Sequence, residues 1–251
     1  DGEGATAQLN RPGALDFDGA GNLWFVETAT ERLRKVTFDA PRTVSTPMIT
    51  TGGDMGTPTV FGQLRAVRVL GNELYVADGG GIQKIDVSTT PAVSTVWVAT
   101  TKLQRTADLV IVGDSVYALD SSFGSVWRFP LANPANGAVV AGANTYGSSW
   151  VDGIGGAARF QEAERLAPGG SDTVYIAEEH TLRRLTVPAY QVTTVAGRGS
   201  HAGSSNSPPR LNGPSSLYYD GADALYIADS GGNQIRKWEL STQTLSTFAG
   251  T

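Results

Sequence analysis

Hydrophobic positions in this chain fall in short runs, many of them β-branched or aromatic, each closed by Gly, Asp, Asn or Ser. Runs of that kind predict strands. One run recurs: an aromatic, two mostly apolar residues, then an acid. It reads Trp24-Phe25-Val26-Glu27, Tyr75-Val76-Ala77-Asp78, Tyr117-Ala118-Leu119-Asp120, Tyr175-Ile176-Ala177-Glu178 and Tyr226-Ile227-Ala228-Asp229. The acids lie 51, 42, 58 and 51 residues apart, so the 251 residues read as five copies of one unit with little left over. Internal repetition at such a period marks a solenoid, propeller or array.

Each copy extends both ways from its acid. Six to nine residues on comes a basic or polar pair in an apolar frame: Leu33-Arg34-Lys35-Val36, Ile82-Gln83-Lys84-Ile85, Val126-Trp127-Arg128-Phe129, Leu182-Arg183-Arg184-Leu185 and Ile235-Arg236-Lys237-Trp238. A Thr/Val-rich run follows, as in Gln191 to Gly197 and Thr244 to Gly250. Upstream lies another apolar stretch: Ala14 to Phe17, Ala66 to Leu70, Leu109 to Val112 and Ser216 to Tyr219. Turns such as Gly19-Ala20-Gly21-Asn22, Gly71-Asn72 and Ser230-Gly231-Gly232-Asn233 supply residues that accept positive φ. The pattern therefore predicts four strands per copy. A four-stranded sheet of this size cannot bury both faces alone, and stacking such sheets about an axis makes a β-propeller. The expected fold is all-β: one propeller domain over 1–251, with repeats at about 1–52, 53–100, 101–150, 151–200 and 201–251. Five blades closing directly is the simplest arrangement; a six-bladed ring or a segment of a longer array is the alternative. Gly156 to Ala167 and its counterpart Gly4 to Asp16 have a helical look. The second contains Pro12 and Gly13, so both read as loop leading into strand with at most one short helical turn.

Composition narrows the classes. Charged residues make up 17% and the net charge is −5, which argues against a nucleic-acid binder. There are no cysteines, which excludes disulfides, thiolate metal sites and cysteine nucleophiles. No apolar run reaches the ~20 residues of a membrane span. Residues Asp1 to Asn10 are small and polar, so no signal peptide is expected in this chain. Few lysines, no cysteine and abundant Thr, Ser and Gly suit an exported bacterial protein, whether secreted, periplasmic or at the cell surface.

The run Asp152-Gly153-Ile154-Gly155-Gly156-Ala157-Ala158-Arg159-Phe160, followed by Tyr175 to Glu178, Leu182 to Leu185 and Thr193 to Gly197, resembles an NHL repeat. The last copy carries it too, in Leu211-Asn212-Gly213-Pro214, Leu225 to Asp229, Asn233 to Lys237 and Thr247 to Gly250. The first copy aligns with the fourth without gaps from Asp1/Asp152 to Leu15/Leu166, while the second and third are more degenerate. The resemblance spans the whole chain. It implies a propeller, more often six-bladed in that family. It leaves function open among protein, RNA and glycan platforms, sensors and occasional enzymes.

Glu27, Asp78, Asp120, Glu178 and Asp229 form a set that could ring a hard cation such as Ca²⁺. The similar lactonase-like propellers hold a channel metal with Asp, Asn and Glu. An acid that recurs in every copy is more economically a brace, however, and Lys35, Lys84, Arg128, Arg184 and Lys237 are the expected partners. Sites on repetitive scaffolds break the repeat. Arg11, Arg65, Arg105 and Arg165, just before the first strand of four copies, are the candidate ligand-binding residues, expected at one mouth of the channel. Arginine suits planar recognition of a carboxylate or phosphate. Trp150, in the longest insertion with Tyr146, could stack on a sugar or anchor a peptide. Trp24, Tyr75, Tyr117, Tyr175 and Tyr226 share a repeat position and are expected to pack between blades. His180 and His201 lack metal-ligand spacing, which speaks against the histidine-bound metal of the amidating-lyase branch. The runs Gly52-Gly53 and Gly79-Gly80-Gly81 lack the helix and Gly-Lys-Ser/Thr ending of a phosphate loop, and no nucleophile elbow is present. The expected function is a non-catalytic scaffold that recognises a protein, peptide or glycan through loops around the channel. It needs no cofactor, and covered strand edges make a monomer the default. The alternative is a lactonase-like hydrolase or lyase with channel-bound Ca²⁺.

Overall fold

The computed structural model describes residues 1–51, 59–79, 81–99, 101–143, 149–199 and 201–251. Its five sheets are the blades of a five-bladed β-propeller with four-stranded antiparallel blades. Blade 1 is Pro12–Phe17, Leu23–Glu27, Arg32–Thr37 and Thr43–Ser45. Blade 2 is Leu64–Leu70, Glu73–Asp78, Gly81–Asp86 and Ala92–Val98. Blade 3 is Thr106–Val112, Ser115–Asp120, Ser125–Pro130 and Ala138–Ala141. Blade 4 is Arg165–Pro168, Thr173–Glu178, Thr181–Thr186 and Gln191–Gly197. Blade 5 is Pro214–Tyr219, Ala224–Asp229, Gln234–Glu239 and Thr244–Gly250. By contact density the chain divides into two compact units, Asp1–Leu109 and Val110–Thr251, with the division inside the first strand of blade 3.

Three blades carry a fifth, very short outer strand that the repeat pattern did not announce. Gly2–Glu3 pairs antiparallel with Thr43–Ser45, and Gly153–Ile154 pairs antiparallel with Gln191–Gly197. Ile49–Thr51 pairs parallel with the start of Ala92–Val98, so the end of the first repeat is used by blade 2. The two helical-looking segments are loops leading into strands, with a single 3₁₀ turn each at Gly4–Thr6 and Gly155–Ala157.

Turn chemistry explains the hairpins. The Asp18 carboxylate accepts from the backbone N–H of Ala20 and Asn22, and Gly21 takes φ 81°. Asp220 does the same for Ala222 and Ala224, with Gly221 at φ 82°. An Asx side chain that satisfies turn amides lets strands one and two reverse tightly.

Within each unit neighbouring blades meet face to face; the face a blade turns toward its successor is here called forward and the other back. In the first unit the forward face of blade 1 (Trp24, Val26, Leu33) packs on the back face of blade 2 (Val67, Leu74, Val76, Ile85). In the second unit Tyr175, Leu182 and Ala196 of blade 4 pack on Leu225, Ile227 and Trp238 of blade 5. Strand alternation makes both faces possible, because successive side chains point to opposite sides of a sheet. At the shared aromatic position Trp24 and Tyr175 pack against the next blade as expected, Tyr75 and Tyr117 are buried, and Tyr226 is half-buried.

Candidate functional site

The recurring acids are braces, with partners one residue away from those the sequence suggested. Glu27 Oε1 lies 2.9 Å from Arg34 Nη1, Glu178 Oε1 3.0 Å from Arg183 Nη1, and Asp229 Oδ2 3.5 Å from Arg236 Nη1. All six side chains are buried. Register is the cause. Glu27 pairs across the hairpin with Arg32, so Arg34, two pairs along, shares its face, while Lys35 opposite Trp24 points the other way. The expected bases serve the opposite face: Lys84 pairs with Glu73, Arg128 with Asp114 and Lys237 with Glu239, while Lys35 sits over the Trp24 ring at 5.3 Å.

Each guanidinium gathers a third element. Arg183 Nη2 donates to Asp152 Oδ1 at 2.8 Å and to the Val151 carbonyl, and its Nη1 donates to the Arg159 carbonyl. Arg236 repeats this with Asn206 Oδ1 at 2.6 Å, Ser205 O and Arg210 O. Arg34 Nη2 meets the Asp1 carboxylate at 3.3 Å. Residues Asp1, Asp152 and Asn206 are thus members of the brace that sequence reasoning missed. The aligned Asp1/Asp152 pair was the available signal. Blades 2 and 3 depart from the pattern. Asp78 accepts from Gln83 Nε2 at 3.5 Å, and in blade 3 Trp127 takes the arginine's position and stacks on Phe129.

The acids also hold the lead-in turn before the first strand. The Asn10 N–H donates to Glu27, Gly62 N–H to Asp78 at 2.6 Å and Asn212 N–H to Asp229 at 2.6 Å. Electrostatics follows burial. Desolvation pushes Glu178 up to about 7 against the pull of Arg183 and Thr181. Desolvation likewise raises Asp229 and Asp78. Desolvation also acts on Glu27, but bonds from Thr30, Asn10 and Arg34 overcome it and hold the carboxyl below its ordinary value. The carboxylate oxygens of Glu27, Glu178 and Asp229 accept from guanidinium, hydroxyl and amide donors of their own blades. Among the described residues no three Asp, Glu or His side chains cluster as a metal site would require.

What varies is the residue that follows the second position of the lead-in turn, after Asn10, Gly62, Gln161 and Asn212. Arg11, Gln63, Glu162 and Gly213 occupy the same place in blades 1, 2, 4 and 5, all with φ between 50° and 69°. A left-handed conformation in non-glycine residues is uncommon. In blades 1, 2 and 5 the acid holds the amide just before it, and one backbone shape presents four different side chains. Arg105 stands at that sequence position in blade 3 but without the left-handed conformation. Arg65 lies within the first strand of blade 2, and Arg165 opens the first strand of blade 4, where its Nη1 donates to the Glu164 carbonyl. The four candidate arginines therefore occupy three different repeat positions, and Arg11 and Arg105 share one in sequence but not in backbone conformation. Trp150 packs its ring against Gly199, which leaves no room for a Cβ there. His180 Nε2 lies 3.7 Å from Glu179. Tyr146, Gly52, Gly53 and Gly80 lie outside the described residues. No helix among the described residues is long and apolar enough to cross a membrane.

No sequence family matches the chain, and no curated protein matches it in sequence. Solved structures do. The propeller of the nidogen/laminin complex aligns over 95% of this chain and 80% of its own, at 13% identity and TM-score 0.67. Virginiamycin B lyase from Staphylococcus aureus aligns over 97% and 71%, at 12% identity and TM-score 0.64. An auxiliary nutrient binding protein from Bacteroides ovatus aligns over 96% and 70%, at 19% identity and TM-score 0.61. At such identities the likeness carries the fold alone, and it agrees with the sheet topology above: the chain is a β-propeller.

Proposed function

We propose that this chain is a non-catalytic binding scaffold of the NHL-like kind, recognising a protein, peptide or glycan through its lead-in turns. One observation carries the reading: the left-handed lead-in turn keeps one backbone shape while its side chain changes from Arg11 to Gln63, Glu162 and Gly213. A rigid frame that holds variable loops is how recognition surfaces are commonly built. The exposed Arg11 and Arg105 point the search to ligands with carboxylate groups, such as acidic peptides and uronic-acid or sialylated glycans. Neighbours that bear the names nutrient binding protein and nidogen/laminin complex make such a role familiar for the fold, and the former suit a place at a bacterial surface. The test is a glycan and peptide array probed with the full chain, followed by titration of the best hit against Arg11→Ala and Arg105→Ala. The reading expects affinity to fall at least about tenfold in one variant, about 1.4 kcal/mol, with the melting temperature unchanged. Hits that bind both variants like the parent would remove the lead-in turns from recognition.

A further inference from the structure

The forward-facing base of the third strand has a partner in every blade but the fourth. Lys84 pairs with Glu73, Arg128 with Asp114 and Lys237 with Glu239, and Lys35 lies over the Trp24 ring. Among the described residues Arg184 makes no ion pair, and its buried Nε has no hydrogen-bond partner. Asp172 stands just before the second strand, as Asp114 does in blade 3, but it accepts instead from the Thr173 hydroxyl at 3.1 Å.

This guanidinium belongs to a row. Tyr175 pairs across one hairpin with Arg184, and Arg184 across the next with Thr193. Cross-strand partners share a face. Tyr175 packs on Leu225, Ile227 and Trp238, so the row is turned toward the back face of blade 5. Trp238 breaks the repeat there: Val36, Ile85, Phe129 and Leu185 occupy its position in the other copies, and none of them carries a side-chain donor. Trp238 is 2% exposed, and its indole N–H is buried without a hydrogen-bond partner. The Thr193 hydroxyl is buried and unpartnered too. Burial raises the Tyr175 pKa, while Trp238 and Arg184 both act on that hydroxyl in the opposite sense, so the groups converge on it. Arg184 and Thr193 are half-buried, which opens the row to solvent at one side.

A buried donor left without an acceptor costs free energy, and a buried charge without a counter-charge costs more. One planar anion answers all three donors, since a guanidinium takes a carboxylate through two parallel bonds. We propose that the seam between blades 4 and 5 holds a small carboxylate anion, with Arg184 as its counter-charge and Trp238 Nε1–H and the Thr193 hydroxyl as further donors. The anion takes at Arg184 the part that Asp114 takes at Arg128. Both blades lie in the unit Val110–Thr251. The seam shares no residue with the lead-in turns, so the site stands or falls apart from them.

Titration of the full chain with sodium acetate tests this, with sodium chloride exchanged for acetate at constant ionic strength. The indole N–H signals are followed by proton–nitrogen NMR, and Trp238→Phe assigns the resonance. The Trp238 signal should move and saturate below about 100 mM acetate, a Kd in the millimolar range. Trp24, whose Nε1 donates to Asp18 Oδ2 at 2.9 Å, should stay in place. Arg184→Gln should weaken the binding at least about tenfold, and Arg11→Ala should leave it unchanged. If Arg184→Gln misfolds by circular dichroism, Thr193→Val replaces it and should weaken binding about threefold. A Trp238 signal that does not move, or moves without saturating, overturns the proposal. So does a Trp24 signal that moves alike, or a variant at Arg184 or Thr193 that binds acetate like the parent. Binding lost in Arg11→Ala also overturns it and assigns the anion to the lead-in turns.

Discussion

Glu178→Gln isolates one buried carboxyl and tests the electrostatic description of the braces. In the native protein desolvation raises Glu178 from 4.5 to about 7. Between those two values the folded state holds a proton that the unfolded state has released. Stability therefore falls as pH rises through that window, and the penalty is fully present above about 7. The displacement corresponds to about 3 kcal/mol. Glutamine keeps an oxygen for the Arg183 and Thr181 donors but cannot titrate. All other carboxylates and both histidines are common to the two proteins, so they cancel in the difference. Urea unfolding of parent and variant at about pH 5 and about pH 8 should show the parent losing about 2–3 kcal/mol relative to the variant on going to the higher pH, since part of the penalty is already present at about pH 5. A difference independent of pH, or one in which the parent gains on the variant as pH rises, would refute the reasoning.

The same logic gives further expectations. Arg236→Met breaks a fully buried pair and should cost about 3–5 kcal/mol, whereas Lys237→Met next to it should cost less than about 1 kcal/mol. Equal losses in melting experiments would mean the face assignment is reversed. Gly197→Ala adds a Cβ to a residue at φ 85° whose neighbour is the His180 carbonyl, so a loss of about 1–3 kcal/mol in urea unfolding is expected and a neutral result would contradict the geometry. Asp152→Asn removes a charge that helps hold Glu178 high, so the Glu178 titration, followed by carboxyl NMR, should move to lower pH; an upward move would contradict the reading. Blade 5 already carries Asn206 in that role.

Much of the architecture was legible from the repeat. Five acid phrases made five blades, and a basic pair in an apolar frame marked every third strand. Pro12 and Gly13 in one lead-in segment ruled out a helix there and in its aligned partner. The partner of the acid was not legible at the level of single residues. Arg34 and Lys35 are adjacent, and only the hairpin register decides which of them shares a face with Glu27. Since a shift of one residue reverses every side chain, a correct strand assignment still left the pairing wrong. The candidate arginines show the same limit: they looked equivalent by nearness to a strand, yet only Arg11 takes the left-handed turn, while Arg65 and Arg165 lie within first strands.

The sequence by itself determined the repeat, the strand order and the need to stack sheets, because these follow from local alternation and from apolar faces too large to leave in water. The tertiary structure alone decided which acid meets which base and which of two similar faces is covered. Leu182-Arg183-Arg184-Leu185 and Ile235-Arg236-Lys237-Trp238 read alike, yet Leu182 is buried and Ile235 is open. The physical reason is that burial is a property of what lies opposite a residue, and a strand's own sequence does not encode its neighbour.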